Sequence, residues 1–108
     1  MKNLCILNEA PYGNERSYNA LRLAGALSKA EGQVVKIFLM GDAAACAKGG
    51  QKVPEGFYNL QLMLGRAVRN KAEVAVCGTC MDARGIAEPE LSEGARRGTL
   101  AELTSWTQ

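Results

Sequence analysis

Apolar positions along this chain switch between two spacings, and the switches mark out alternating strands and helices. Leu4, Ile6 and their neighbours form a run at residues 2–8 that is too short for a helix and reads as a first strand. Glu9-Ala10-Pro11-Tyr12-Gly13-Asn14 follows, a loop rich in turn formers. A helix then runs to about residue 30, with Tyr18, Ala20, Leu21, Leu23, Ala24 and Leu27 as its buried stripe, and Glu31-Gly32-Gln33 ends it with a glycine cap. Residues 34–40 are almost continuously apolar, which suits a parallel strand covered on both faces. Gly41-Asp42 closes that strand, a short helical patch is expected over 43–48, and 49–56 reads as a mobile loop. A second long helix is expected over 58–70, with Leu60, Met63, Leu64, Ala67 and Val68 inward.

Residues 73–76 make the third strand and lead into Cys77. Beyond Gly85 the pattern weakens: 86–91 carries a proline, 94–97 reads as a short fourth strand, and Thr99-Leu100-Ala101-Glu102-Leu103 opens a last helix. Strand and helix alternate throughout, which predicts a parallel sheet with right-handed crossovers. The expected fold is α/β, one three-layer flavodoxin-like or Rossmann-like domain over 1–108 with a mostly parallel sheet.

Size supports a single domain, since 108 residues enclose one modest core. A net charge of +2 with no basic stripe interleaved with aromatics argues against nucleic acid or a membrane surface as partner. The longest apolar runs are strand-length, too short for a bilayer span. The first residues are likewise too short in their apolar part for a signal peptide and lack a small-residue cleavage site. The expected location is therefore cytoplasmic, where thiols stay reduced.

Histidine is absent, and that narrows the chemistry more than most residues present. It removes the commonest general base, the Ser-His and Cys-His pairs, and every histidine-bearing metal site. Gly49-Gly50 lacks the Lys-Ser/Thr of a phosphate loop, and no G-x-G-x-x-G follows a strand, so no nucleotide or flavin cofactor is expected. The four cysteines, Cys5, Cys46, Cys77 and Cys80, can be read as two disulfides or a four-thiolate zinc site. Nothing suggests secretion and only one pair is close, so no disulfide and no metal is expected.

That close pair is the chemical feature of the sequence. Cys77-Gly78-Thr79-Cys80 follows a strand and precedes a helix, where peptide dipoles and cations favour thiolate over thiol. Arg84 stands seven residues after Cys77 and four after Cys80, within reach of both sulfurs on a continuous helix. Cys77, Cys80 and Arg84 are the candidate catalytic residues. Asp42 ends the second strand on the same sheet edge and reads equally as an N-cap for 43–48 or as a site residue. Cys46 reads as half-buried helix packing and Cys5 as core.

Taken in order, several segments resemble the DsrE/DsrF-like family, most closely its YchN-like group. They are Asn8-Glu9-Ala10-Pro11-Tyr12-Gly13 with Asn19-Ala20-Leu21-Arg22-Leu23-Ala24, Phe38-Leu39-Met40-Gly41-Asp42-Ala43, and Cys77-Gly78-Thr79-Cys80 with Ala83-Arg84-Gly85-Ile86. The resemblance implies a small α/β subunit that assembles as a homotrimer or a dimer of trimers, with the cysteine near a subunit interface. It also implies relatedness to sulfur-relay subunits such as TusD. In those proteins a cysteine seven residues before the Arg-Gly pair accepts sulfane sulfur as a persulfide and passes it to a partner protein. Cys77 holds that position here, and Cys80 stands where relay members tend to have alanine, as a resolving thiol or the mark of a different task. The family also adds a strand after the helix that here holds Leu103 and Trp106, whereas this sequence stops at Gln108.

The leading expectation is a sulfur carrier or sulfurtransferase-like protein. Cys77 would carry the persulfide, Cys80 would be an auxiliary thiol and Arg84 would stabilise negative charge. A donor or acceptor protein would be its partner. Two alternatives stay open: a non-catalytic oligomeric module binding a small anion or metal at its interface, and a dithiol oxidoreductase that needs both cysteines.

Overall fold

Each short apolar run pairs with the next one in sequence, and the result is a sheet without a change of direction. The computed structural model describes residues 1–54 and 57–108. Four strands, β1 (Lys2–Leu7), β2 (Val34–Leu39), β3 (Glu73–Cys77) and β4 (Ala95–Gly98), lie in the order β1-β2-β3-β4, and every pair is parallel. The helices are α1 (Arg16–Lys29), α2 (Leu60–Arg69), α3 (Gly78–Ala83) and α4 (Leu100–Thr107), with 3-10 segments at Gly41–Ala47 and Glu88–Glu90. The fold is α/β, as the alternating pattern predicts, and no helix among the described residues is long and apolar enough to cross a membrane.

Because the strand order never reverses, α1 and α2 share one face. Leu21 and Ala24 of α1 and Leu60, Leu64 and Ala67 of α2 pack with Val35, Ile37, Leu39, Val74 and Val76. Strand alternation sends Phe38 and Ala75 to the opposite face, where among the described residues α4 supplies cover through Leu103 and Trp106. The Trp106 ring meets Phe38 edge-on at 6.1 Å, while Lys36 and Arg96 flank it at 5.1 and 5.9 Å. Arg96 also reaches back to Glu102 on α4, with a 2.8 Å contact to Oε1. Gly98 makes this docking possible. A Cβ there would lie 2.9 Å from Glu102 Oε1 and 3.0 Å from Ala75 Cβ.

Local chemistry moves several of the expected boundaries. The second long helix begins at Leu60 rather than 58, because the Asn59 side chain accepts the Leu62 N–H at 3.1 Å and caps it. Tyr58 lies before the cap, stacked on Tyr18 with ring centroids 4.2 Å apart. Leu23, expected in the buried stripe of α1, is 60% exposed. Two residues on from buried Leu21, it falls on the far side of a helix that turns 100° per residue. The helical patch is a 3-10 segment, and Ala43, Ala44, Cys46 and Ala47 in it are buried. Residues 55–56 of the expected 49–56 loop lie outside the described residues. Its earlier part is tied down by Gln51, whose amide donates to the carbonyls of Cys46 (2.8 Å) and Lys48 (2.9 Å).

Gly98→Ala is expected to push α4 off the sheet and cost about 1–3 kcal/mol, as overpacking does. Urea denaturation followed by the fluorescence of the single tryptophan, Trp106, measures this directly. Leu100→Ala, at a 70% exposed position of the same helix, should change stability by no more than about 0.5 kcal/mol.

Candidate active site

β3 is buried from Val74 to Val76 and ends at Cys77, which occupies the N-cap position of α3. The cysteine is half-buried and lies on the α4 face of the sheet, clustered with Phe38, Ala75, Leu4 and Met40. It therefore sits at the carboxyl edge of a parallel sheet, where open α/β folds present groups to ligands. Its Sγ lies 3.3 Å from the Thr79 hydroxyl. Partial burial pushes the thiol up. Polar interactions with the side chains and backbone of Cys80 and Thr79 outweigh burial, and the net shift is downward from 9.0.

Cys80 follows one turn later and packs against the other side of the sheet, with the core beneath α1 and α2. Its Sγ accepts the N–H of Gly41 at 3.2 Å. The two sulfurs are thus neighbours with different surroundings: Cys77 faces the sparsely covered side, and Cys80 is held by the chain leaving β2.

Arg84 does not ride on a continuing helix. α3 stops at Ala83, because the N–H of Gly85 bonds the Asp82 carbonyl (3.2 Å) and the N–H of Ile86 bonds that of Met81 (3.0 Å). This is the Schellman closure, and it needs the positive φ of +66° that Gly85 supplies. Arg84 is left as the C-cap, folded back across the edge. Its Nη2 and Nε donate to Asp42 Oδ1 at 2.8 and 3.2 Å, and its Nη1 donates to the Cys80 carbonyl at 3.1 Å. Among the described residues its hydrogen bonds go to these oxygens rather than to either sulfur. Asp42 caps nothing: the 3-10 segment has no side-chain cap, and the exposed carboxylate is Arg84's partner. The pair is too exposed to add much stability. It fixes the Cys80 backbone relative to the end of β2.

A second cation, Arg97, reaches the site from β4. Val76 pairs with Arg97 and Cys77 with Gly98, so the end of β4 runs beside the cysteine. The Arg97 guanidinium lies flat over Gly78, where a Cβ would come within 2.7–2.8 Å of it, and both Nη atoms bond the Asp82 carboxylate at 2.9 Å. Asp82 raises the pKa of Arg97 most, and the charge of Cys77 adds to the same shift. Sequence reasoning misses this residue. The glycine inside Cys77-Gly78-Thr79-Cys80 hints at a close approach, but only the β3–β4 register says from what.

The remaining thiols are packing groups. Cys46 is fully buried rather than half-buried, and burial, only partly offset by Ser17 and its own backbone, pushes its thiol up to about 11. Burial also raises Cys5, which packs against the same core. All four cysteines are free thiols. Among the described residues no group of three or more cysteine, aspartate or glutamate side chains is placed to hold a metal ion.

A small parallel α/β subunit with a thiol pair at its sheet edge is the class that this geometry defines, and comparison with known proteins gives that class a family. The model of the DsrE/DsrF-like family matches residues 1–108, and the chain belongs to that family. It is 44% identical over 107 residues to Protein YchN of Escherichia coli K12, covering 98% of this chain and 91% of the relative. It is 41% identical over 108 residues to the uncharacterized protein MJ0989 of Methanocaldococcus jannaschii, covering 100% and 93%. The crystal structure of YchN from E. coli superposes with a TM-score of 0.92 at 44% identity, over 98% of this chain and 91% of that one. The structure of MTH1491 from Methanobacterium thermoautotrophicum, a protein of unknown function, shares the fold with a TM-score of 0.74 at 9% identity, over 98% and 90%.

Cys77 should be the thiol that iodoacetamide labels first, with a pH midpoint below 9.0. Thr79→Val, which removes the hydroxyl donor, should move that midpoint upward, as peptide mapping across a pH series would show. A midpoint unmoved by Thr79→Val would mean that the hydroxyl does not stabilise the thiolate. Cys46 gives a prediction of opposite kind. Between pH 9 and about 11 the unfolded chain loses the Cys46 proton while the folded chain keeps it. Stability should therefore fall as pH rises through that window, and Cys46→Ala should flatten the fall in denaturation midpoints measured across it.

Proposed function

We propose that this chain is a sulfur carrier: Cys77 takes up sulfane sulfur as a persulfide and hands it to a partner protein. The observation that carries the reading is the placement of Cys77, half-buried at the open sheet edge with the Thr79 hydroxyl 3.3 Å from its sulfur. Only a thiolate attacks sulfane sulfur efficiently, and this chain has no histidine to generate one. Hydrogen bonds and nearby cations take over that task. Membership of the DsrE/DsrF-like family supports the same chemistry.

In the forward step the Cys77 thiolate attacks the terminal sulfur of a donor persulfide. A bond forms between Cys77 Sγ and that sulfur, the donor's own S–S bond breaks, and the donor departs as a thiolate that takes up a proton. An acceptor thiolate then attacks the same outer sulfur, and Cys77 leaves as the thiolate it was. Arg84 serves by holding the Cys80 carbonyl and lending positive charge to the edge, while Arg97 lends charge over Gly78. Cys80 is the auxiliary thiol. The carrier works in a reducing cytoplasm, which keeps both thiols available.

Assembly of identical subunits belongs to the same reading. Ile6 and Val34, on the α4 face of the sheet, are 45% and 46% exposed, and Leu4 and Met40 lie partly covered beside Cys77. A homotrimer or hexamer that covered this face would place Cys77 at a subunit interface and restrict it to partner-delivered sulfur. A dithiol oxidoreductase is the second reading, favoured by the closeness of Cys77 and Cys80.

Reduced protein incubated with a sulfane-sulfur donor should gain about 32 Da per sulfur atom by intact mass. Cys77→Ser should abolish the gain while leaving the Trp106 unfolding transition unchanged. Uptake that survives in Cys77→Ser removes Cys77 from the role, and turnover of a disulfide substrate without mass gain supports the dithiol reading.

A further inference from the structure

Cys80 is not needed to carry sulfur, yet the fold positions its thiol with care. Cys77 is the N-cap residue of α3 and Cys80 follows one turn later, so the two cysteines lie close together. The Gly41 N–H donates to Cys80 Sγ at 3.2 Å, so a negative charge forming on this sulfur already has a fixed partner. Arg84 clamps the Cys80 carbonyl at 3.1 Å and is itself locked to Asp42 at 2.8 Å. Cys80 packs with the core under α1 and α2, whereas Cys77 clusters on the sparsely covered face. Cys77 therefore meets an external donor from the sparser face, and Cys80, itself partly buried, stands beside whatever Cys77 holds.

We infer that Cys80 is a built-in discharge for the carrier: its thiolate attacks the inner sulfur of a Cys77 persulfide, closes a Cys77–Cys80 disulfide and expels hydrosulfide. This rests on the reading of Cys77 as the carrier. The bond that forms joins Cys80 Sγ to Cys77 Sγ. The bond that breaks joins Cys77 Sγ to the outer sulfur, which leaves with the electron pair and takes up the Cys80 proton as hydrogen sulfide. The outer sulfur is reduced from sulfane to sulfide, and the two cysteine sulfurs are together oxidised by two electrons. A dithiol reductant must then reopen the disulfide before the next load, so the carrier needs a thiol–disulfide exchange partner as well as a sulfur donor. Sulfur not collected promptly by an acceptor is released as sulfide instead of remaining on an exposed persulfide.

The test loads the full chain with inorganic tetrasulfide under anaerobic conditions, removes the excess and follows intact mass and free sulfide in wild type, Cys80→Ser and Cys80→Ala. Wild type should pass from about +32 Da to about −2 Da with release of about one sulfide per chain, while both Cys80 variants keep the added sulfur. Because the attack is intramolecular, decay in wild type should be faster by on the order of tenfold or more. Trp106 fluorescence confirms that the variants are folded. A wild-type persulfide that lasts as long as that of folded Cys80→Ser overturns the discharge and leaves the carrier standing. Failure of wild type and both Cys80 variants to gain sulfur at all overturns the carrier reading and the discharge with it.

Discussion

Parallel pairing of β2 with β3 is the constraint on which the site depends. Leu39 pairs with Val76, so the chain leaving β2 at Gly41-Asp42 and the chain leaving β3 at Cys77–Cys80 emerge side by side. From that one register follow the Gly41 N–H on Cys80, the Asp42 carboxylate on Arg84 and the Arg84 guanidinium on the Cys80 carbonyl. A slip of one residue would turn every side chain of the strand to the other face and would separate these groups. The buried runs Val35, Ile37, Leu39 and Val74, Val76 resist such a slip, because each would trade the core for the opposite face. Hydrophobic packing thus sets the position of the polar site.

The same backbone gives four identical side chains three different characters. Cys46 and Cys5 are thiols in apolar surroundings, and burial raises both. Cys77 is lowered by polar interactions with Cys80 and Thr79. Cys80 has the Gly41 backbone N–H as its partner. Reactivity here is a property of where the strand ends, since thiolate character follows the local field rather than the residue type.

The two faces of the sheet are covered unequally. With the strands in sequence order, α1 and α2 crowd one face, and α4 is the helix that covers the other. Cys77 belongs to the sparser face, as do exposed Ile6 and Val34. The close approach at Gly98 lets α4 sit over Phe38 and Ala75, so one glycine in β4 helps decide how much of that face stays open.

Local physics made much of this protein legible from its sequence. Short apolar runs and a 3.6-residue period located the first three strands and the two long helices, the weaker reading of 94–97 fell one residue from β4, and the Cys77–Cys80 spacing marked out the candidate site. The family followed from ordered segments around the same residues. What pattern alone misjudged was local but non-hydrophobic: the Asn59 cap that delays α2, and the Gly85 closure that ends α3 before Arg84. Both Arg84 on Asp42 and Arg97 over Gly78 needed tertiary structure, because each joins segments that only the sheet register brings together. Sequence by itself determined which residues could react, since thiol chemistry and the absence of histidine are facts of composition. Tertiary structure decided which thiol stands at the open sheet edge and what stands beside it, because charge and hydrogen bonding act through space, over distances that only strand pairing sets.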